Sequence, residues 1–455
     1  MSQYITNIFS NNSSEEEIID FGKSASNKVP AISKAVNQLK KGIWIYFLLI
    51  IFEGALRKWV LPALSTPLLI VRDPVAFWLI FRSMKLRLLP ANIYLKSMVV
   101  VCLIGIFTTL FLGHGNLAVT LFGARILLLH FPLIFVIGNV FDHEDVENIG
   151  KILVLISIPM AILTALQFYS PQEAWVNRGI GGDTAGAGFA GALGYMRPPG
   201  TFSFTNGLTL FFSFDACFIL YFWLNPKKIK KIILLAATLG LLSAIPLSIS
   251  RALLFSSIIS VLFAIIGMFR NPQLMGRLVM IGVIGFIGVV ALSQTKFFQT
   301  SIAAFTDRFD SANEAEGGTS GVIGDRYVGG LLGSIFGSSN IPVFGYGMGM
   351  GTNTGAMLLS GKTTYLIAEG EWGRLIGESG PFLGLIMIII RLALVAKMTL
   401  FSFKKLGTGN ILPWMLLSFG ALNIPQGQWA QPTSLGFGVL AGGLIIAALK
   451  NRITE

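Results

Sequence analysis

Charged residues are scarce in this chain. Of its 455 residues, 12% are charged and 53% are hydrophobic. A soluble domain usually carries charge on about 25% of its residues, so a chain of this size lacks the residues for a water-exposed surface. Lipid accommodates such a composition, provided that the backbone is hydrogen-bonded within helices. The composition therefore predicts an integral membrane protein and argues against a soluble enzyme.

Cysteine and histidine are also rare. The two cysteines, Cys102 and Cys217, both lie inside apolar runs, which argues against a disulfide framework or a cysteine metal site. With three histidines in the whole chain, a histidine metal site is not expected either. The sequence contains no P-loop, no glycine-rich dinucleotide motif and no HExxH motif. We therefore expect no metal and no cofactor, and any reaction must begin from an already activated donor.

Apolar segments close to the 20 residues that a spanning helix needs recur along the chain. The candidate segments are 43–61, 66–82, 95–113, 117–140, 150–169, 201–224, 232–249, 251–269, 278–293, 377–397, 411–428 and 434–449. We therefore predict an all-α polytopic membrane protein with about 12 transmembrane helices. It would consist of a polar cytoplasmic segment, 1–41, and a single transmembrane domain, 42–450.

Basic residues are distributed unevenly between the connecting segments. Cytoplasmic loops of membrane proteins carry an excess of lysine and arginine. With a cytoplasmic N-terminus, 21 of the 34 basic residues fall on the cytoplasmic side. We therefore predict that both termini are cytoplasmic and that two long loops, 170–200 and 294–376, are external. The basic residues form short clusters without a basic face, which also argues against nucleic-acid binding.

The two external loops are the expected location of function, because long loops in compact proteins usually carry it. The first contains GIGGDTAGAGFAGALGYMRPPG and is too rich in glycine for a stable helix. The second, between the ninth and tenth spans, includes SIAAFTDRFDSANEAEGG, which predicts an amphipathic helix at the membrane surface. It also includes FGYGMGMGTNTG, which predicts a flexible loop.

Several charged side chains fall inside the predicted spans, where each costs roughly 2.5–3.5 kcal/mol. Glu53 with Arg72, or Asp73 with Arg57, are candidate ion pairs that fix helix packing, and a functional role is the alternative. Arg125 lies in the fourth span, where we favour function over a structural ion pair.

Two further polar residues inside the spans have simpler interpretations. We interpret His130 as a packing residue whose hydrogen bonds are satisfied. We interpret Arg391 as a side chain that extends to the cytoplasmic surface.

Arginines near the predicted external surface suggest a site for an anion. Arg197 precedes Pro198-Pro199-Gly200 at the start of a span, where helix N–H groups and an arginine together suit a phosphate. Arg251 lies in SISRALLF at a tight external turn, with interfacial snorkelling as its alternative. Arg125 and Arg72 are predicted at the same depth, and arginine is suited to bidentate phosphate binding.

The second loop ends in AEGEWGRLIGESG, where three charged residues share a helix face. Glu371, Arg374 and Glu378 are spaced three and four residues apart. One interpretation is a local salt bridge from Arg374 to both acids. The other is an acid/base group beside a phosphate-binding arginine.

Three motifs resemble the O-antigen polymerase and ligase superfamily, the Wzy- and WaaL-like proteins of bacterial polysaccharide assembly. They are RPPGTFSFTNG at 197–207, SISRALLF at 248–255 and GEWGRLIGESGPFLGL at 370–385, and the pattern GALRKWVLP…RDP at 54–74 is similar to uncharacterised relatives. The resemblance extends over most of the chain by hydropathy and by the order of segments.

This resemblance implies a metal-independent glycosyltransferase of the bacterial inner membrane. It would transfer a glycan from undecaprenyl diphosphate to a sugar hydroxyl on the external face, with other polysaccharide-assembly proteins as possible partners. Arg197 and Arg251 would bind the diphosphate. Ligases of the family usually carry a histidine nine residues before the glutamate of E-x-G, and here that position is Glu369. The departure favours a polymerase and leaves Glu369 or Glu371 as the base, with Arg374 nearby.

Two other functions fit the same sequence. Twelve spans with intramembrane charges are also a common plan for a transporter, although no internal repeat is visible. A non-catalytic subunit of a polysaccharide export system is the third interpretation, and it would tolerate substitution of the external arginines and glutamates.

Overall fold

The computed structural model describes residues 28–316, 333, 341–362, 366–368 and 370–450. Within these residues the chain forms helices and one small β-hairpin. The helices are α1 (Lys28–Ala55), α2 (Arg72–Lys85), α3 (Ile93–Leu112), α4 (Leu117–Arg125), α5 (Phe131–Val140), α6 (His143–Tyr169), α7 (Thr205–Leu224), α8 (Lys231–Leu247), α9 (Arg251–Arg270), α10 (Met275–Ser293), α11 (Lys296–Glu316), α12 (Asn353–Ser360), α13 (Glu371–Leu406), α14 (Leu412–Gln426) and α15 (Pro432–Ala448). The hairpin pairs β1 (Phe189–Ala192) with β2 (Tyr195–Arg197) in antiparallel orientation.

Seven helices of the described chain are long and apolar enough to cross a membrane, which supports the predicted all-α membrane protein. They are α3, α4 continued by α5, α6, α7, α9, α10 with the turn before it, and α13. Helices α8 and α15 are apolar but shorter. Each of the predicted spans overlaps a helix, while the number of membrane crossings and their orientation stay predictions.

Helix α7 lies at the centre of the bundle. It is largely apolar, apart from the buried Asp215, and its spanning stretch is wholly buried inside the protein. It contacts α6 and α8, which precede and follow it in the sequence, as well as α9 and α14. A helix that is hydrophobic on all sides is typical of the core of a large helical protein.

Glycines allow the last helix to approach the middle of the chain closely. Helices α5 and α15 make the most extensive contact in the bundle. A β-carbon at Gly443 of α15 would lie 2.5 Å from the β-carbon of Ile137, and one at Gly138 would lie 2.6 Å from a methyl group of Ile446. Small residues at such interfaces are typical of membrane helix packing.

The bundle has two chemically different ends. At one end Lys40 pairs with Asp142 at 2.8 Å and Lys228 pairs with Glu147 at 2.8 Å; we call this the lysine end. Helix α6 runs from there to the opposite end, where Tyr195 of the hairpin stacks on its Phe168, with the ring centroids 4.6 Å apart. We call this second end, with the hairpin and the start of α9, the loop end.

The two long loops differ from their predicted character in part. Residues 170–200 contain no α-helix, as expected, but they form the hairpin and two short 3-10 turns. The helix predicted at the beginning of the second loop is confirmed as α11, and its location at a membrane surface stays a prediction. The flexible loop predicted at 344–355 is wrong for residues 345–351, which are packed and hydrogen-bonded as described below.

Candidate functional site

Helix α13 contains a sharp reversal. Gly380 has a φ of +78°, a conformation that favours glycine, and Pro381 follows it and cannot donate the next helical hydrogen bond. Residues 371–379 therefore fold back on the rest of the helix. A β-carbon at Gly384 would lie 2.7 Å from the Cα atom of Ile376. The GEWGRLIGESG motif is thus a short helical arm packed against the apolar part of its own helix.

The charged residues of this arm form a buried network with Arg391. Glu371 accepts hydrogen bonds from Arg374 at 2.8 and 3.0 Å, from Arg391 at 2.8 Å and from the backbone N–H of Trp429 at 3.0 Å. Glu378 accepts one from Arg374 at 2.6 Å. The four charged side chains, which we call the α13 network, are at most 4% exposed. Two acids and two arginines balance in charge, as burial requires.

The α13 network decides two of the interpretations made from the sequence. The salt bridge from Arg374 to both acids is confirmed. The interpretation of Arg391 as a side chain that extends to the surface is wrong. Its guanidinium is wholly buried and lies 3.8 Å from the ring centroid of Trp429, because the reversal in α13 brings Glu371 to it. A catalytic role for Glu371, Arg374 and Glu378 stays a prediction, and Glu369 lies outside the described residues.

The glycine-rich segment 345–351 is held against the arm by its backbone. The N–H of Gly347 donates to the carbonyl of Glu378 at 3.0 Å, and the N–H of Gly351 donates to the Glu378 carboxylate at 2.8 Å. On the other side, the N–H of Met348 donates to Thr109 Oγ1 at 2.9 Å. The segment therefore joins α3 to α13, and its glycines permit this because side chains would collide with the neighbouring backbone. A β-carbon at Gly349 would lie 2.2 Å from the carbonyl oxygen of Val119.

A small cavity lies beside the α13 network. Its polar lining comes from Arg374, Glu378 and Ser379, and its apolar lining includes Met348 and Met387. A polar cavity of this kind suits a buried water molecule.

A second charged network links α1 and α2. Glu53 accepts from Arg72 Nε at 3.0 Å, and Arg57 Nη1 lies 3.6 Å from the same carboxylate. The predicted pair of Glu53 with Arg72 is confirmed. The alternative pair of Asp73 with Arg57 does not form.

Asp73 instead pairs with Arg125 at the end of α4 and with His130 just before α5. It accepts from Arg125 Nη1 at 2.8 and 2.9 Å and lies 2.9 Å from His130 Nε2. The other ring nitrogen of His130 is 3.1 Å from the hydroxyl of Tyr46, so both ring nitrogens have hydrogen-bond partners, as predicted. The carboxylates of Glu53 and Asp73 therefore compensate the charges of Arg72 and Arg125 inside the bundle.

A third group, at the loop end, contains arginines. Arg197 ends β2, Arg251 begins α9 and Arg308 lies on α11. Burial lowers the pKa of Arg197, and the nearby positive charges of Arg308 and Arg251 lower it further. Within the described residues the Nε atom of Arg197 is buried without a hydrogen-bond partner. Like charges gathered at a partly buried position attract an anion. We call these three residues the arginine cluster.

The turn that carries Arg197 is fixed from α1. A π-helical turn at Leu56–Val60 ends this helix, and Lys58 donates from it to the carbonyl of Gly200 at 2.7 Å. The N–H of Gly200 donates to Gln167 Oε1 at 2.7 Å, and Arg57 donates to Ser203 Oγ at 3.1 Å. The GALRKW motif thus holds the segment that follows Arg197. π-Helical turns are frequent at functional sites.

The structure brings together two of the four arginines predicted to bind phosphate, Arg197 and Arg251, and places Arg72 and Arg125 in a separate, compensated network. The sequence analysis did not identify Arg308, although its position four residues after Ala304 in an amphipathic pattern was visible.

Comparisons with protein-family models, curated proteins and solved structures found no match. The argument for a function therefore rests on the geometry and chemistry of the site.

Proposed function

We propose that this protein is a metal-independent glycosyltransferase that polymerises or ligates glycans in the bacterial inner membrane. It transfers a glycan from undecaprenyl diphosphate to a sugar hydroxyl on the external face. The arginine cluster at the loop end carries the proposal, because a partly buried set of like charges is suited to bind a diphosphate. The motifs around Arg197, Arg251 and Glu378 support the same function.

The proposed topology places the loop end outside the cell. About twelve crossings with both termini in the cytoplasm would put the lysine end in the cytoplasm, as the distribution of basic residues favours. The hairpin, α11 and the start of α13 would then meet the external headgroup region, where a lipid-linked diphosphate resides.

The transfer needs an anion site and one base. The acceptor hydroxyl oxygen attacks the anomeric carbon, the bond from that carbon to the diphosphate breaks, and the lipid diphosphate leaves with its charge stabilised by Arg197 and Arg251. The hydroxyl proton passes to a carboxylate. Glu371 and Glu378 use their oxygens to bind buried arginines and backbone N–H groups. Glu369 is therefore the first candidate for the base, and the α13 network supports the arm that follows it.

The decisive experiment is complementation of a deletion strain with Arg197→Ala, Arg251→Ala and Glu369→Gln. Arg178→Ala in the same long loop is the matched control. Membrane levels are checked first, and then surface polysaccharide and lipid-linked intermediates are analysed. Accumulation of single repeat units without long chains supports a polymerase, and accumulation of full-length lipid-linked chains supports a ligase. Normal chain lengths in all variants would refute the proposal.

A transporter is a second candidate, favoured by one observation. Asp73, His130 and Tyr46 form a hydrogen-bonded chain that links α2, the turn before α5, and α1, and chains of ionisable residues in spans are typical of proton paths. Proton flux into proteoliposomes that is lost in Asp73→Asn, with normal glycan chains, would favour this function.

A further inference from the structure

Helix α11 is anchored beside the hairpin by one face. Its Phe298 and Ala304 join an apolar cluster with Phe168 of α6, with Leu247 at the end of α8 and with Ile249 just before α9. Ser301 and Ala304 are wholly buried. An amphipathic helix that packs in this way has a fixed rotation about its axis.

That rotation directs Arg308 towards the other two arginines. Arg308 follows Ala304 by four residues, so both side chains lie on the same face of the helix. The next residue, Phe309, has its ring centroid 6.2 Å from that of Phe255, and Phe255 follows Arg251 by four residues on α9. Contacts at Ala304 on the hairpin side and at Phe309 on the α9 side therefore hold the part of α11 that carries Arg308.

Of the neighbouring acids on α11, Asp307 lies beside Arg308, about 100° around the helix axis, whereas Asp310 does not share its position. Asp310 is two residues from Arg308 and therefore points to nearly the opposite side of the helix. Arg308 is exposed, so an incoming ligand has access to its guanidinium. After burial, its positive charge and that of Arg251 lower the pKa of Arg197, as expected of guanidiniums that lie close together.

We propose that Arg308 is a third anion-binding residue, which α11 supplies to the site formed by Arg197 and Arg251. This inference rests on the proposed function, since the anion would be the diphosphate of the lipid-linked donor. Three guanidiniums from a hairpin, a bundle helix and a surface helix surround the diphosphate from separate directions. Arg308 therefore contributes to retention of the leaving diphosphate, while α11 provides one wall of the site.

Binding of inorganic pyrophosphate to the full-length protein in detergent tests this proposal. Isothermal titration calorimetry at low salt would compare the wild type with Arg308→Ala, Arg308→Lys and Lys296→Ala. Lys296 is an exposed cation at the start of the same helix, so its removal changes the net charge equally. We expect the dissociation constant to rise about tenfold in Arg308→Ala, as loss of one charged hydrogen bond predicts. The dissociation constant of Arg308→Lys should lie between those of the wild type and Arg308→Ala, and that of Lys296→Ala should match the wild type.

The possible results separate this inference from the proposed function. If Arg197→Ala abolishes binding while Arg308→Ala binds like the wild type, the role of Arg308 is refuted and the remaining site stands. An equal loss in Arg308→Ala and Lys296→Ala also refutes it, because the effect is then one of net charge. If Arg308→Ala weakens binding and glycan chains stay normal in Arg197→Ala cells, the anion site stands and the glycosyltransferase proposal fails. If the wild type itself binds no pyrophosphate, the Arg308 proposal is overturned together with the anion site.

Discussion

Glu371 and Arg391 lie 20 positions apart on one helix, yet their side chains pair at 2.8 Å and both are wholly buried. In a straight helix they would be about 30 Å apart. The reversal at Gly380 makes the pair possible, so the arm and the helix behind it are held by a charge pair as well as by packing.

Glu371→Gln is expected to destabilise the protein strongly. The substitution leaves Arg391 and Arg374 buried with one carboxylate fewer, and breaking a buried pair from one side costs about 3–5 kcal/mol. Thermal unfolding in detergent, followed by tryptophan fluorescence, measures the effect. Glu314→Gln on the exposed side of α11 is the control. An unchanged melting temperature in Glu371→Gln would contradict the role of the α13 network.

Gly380→Ala is expected to be more harmful than an alanine at another glycine with positive φ. A β-carbon at Gly380 would lie 1.9 Å from the carbonyl oxygen of Val343. Gly361 has a φ of +70° but no atom within 4 Å of such a carbon, so Gly361→Ala reports backbone strain alone. Melting temperatures of the two variants separate strain from collision. Equal losses would mean that Val343 and Gly345 are not packed against the reversal.

The sequence contains signals for the helices and for some of the charge pairs. Apolar runs of about 20 residues predict where the helices lie. The ion pair of Glu53 with Arg72 could be predicted because the two residues lie on neighbouring antiparallel helices. The partner of Arg391 could not be predicted in this way, because the helical pattern of the sequence continues through the reversal. The Gly380-Pro381 dipeptide was the available signal, since such a pair marks a break. Arg308 depends on tertiary packing of α11, which periodicity alone does not determine.

Lys450 predicts a pH dependence of stability. It lies just after α15 and donates to the carbonyls of Asn139 and Phe141. Burial lowers its pKa to about 8 from 10.5. The folded state therefore binds fewer protons than the unfolded state between pH 8 and 10.5, and stability gains from Lys450 as the pH rises through this range.

Melting temperatures between pH 7.5 and 10.5, a range of about three units around the lowered pKa, test this expectation. Lys450→Gln should show less of this gain than the wild type. Lys227→Gln, which removes an exposed lysine at the same end, should follow the wild type. Identical profiles for wild type and Lys450→Gln would refute the prediction.

Arg197 and Arg125 are expected to respond oppositely to alanine substitution, because one binds a ligand and the other binds a carboxylate. Arg197→Ala removes repulsion from Arg251 and Arg308, so the melting temperature should stay constant or rise while glycan chains are lost. Arg125→Ala leaves Asp73 with His130 as its remaining hydrogen-bond partner and should lower the melting temperature by removing a partly buried ion pair. Pyrophosphate should raise the melting temperature of the wild type and of Arg125→Ala by mass action, and should have no effect on Arg197→Ala. A lower melting temperature in Arg197→Ala without pyrophosphate would show that Arg197 is structural, and the loss of glycan chains could then be explained by misfolding.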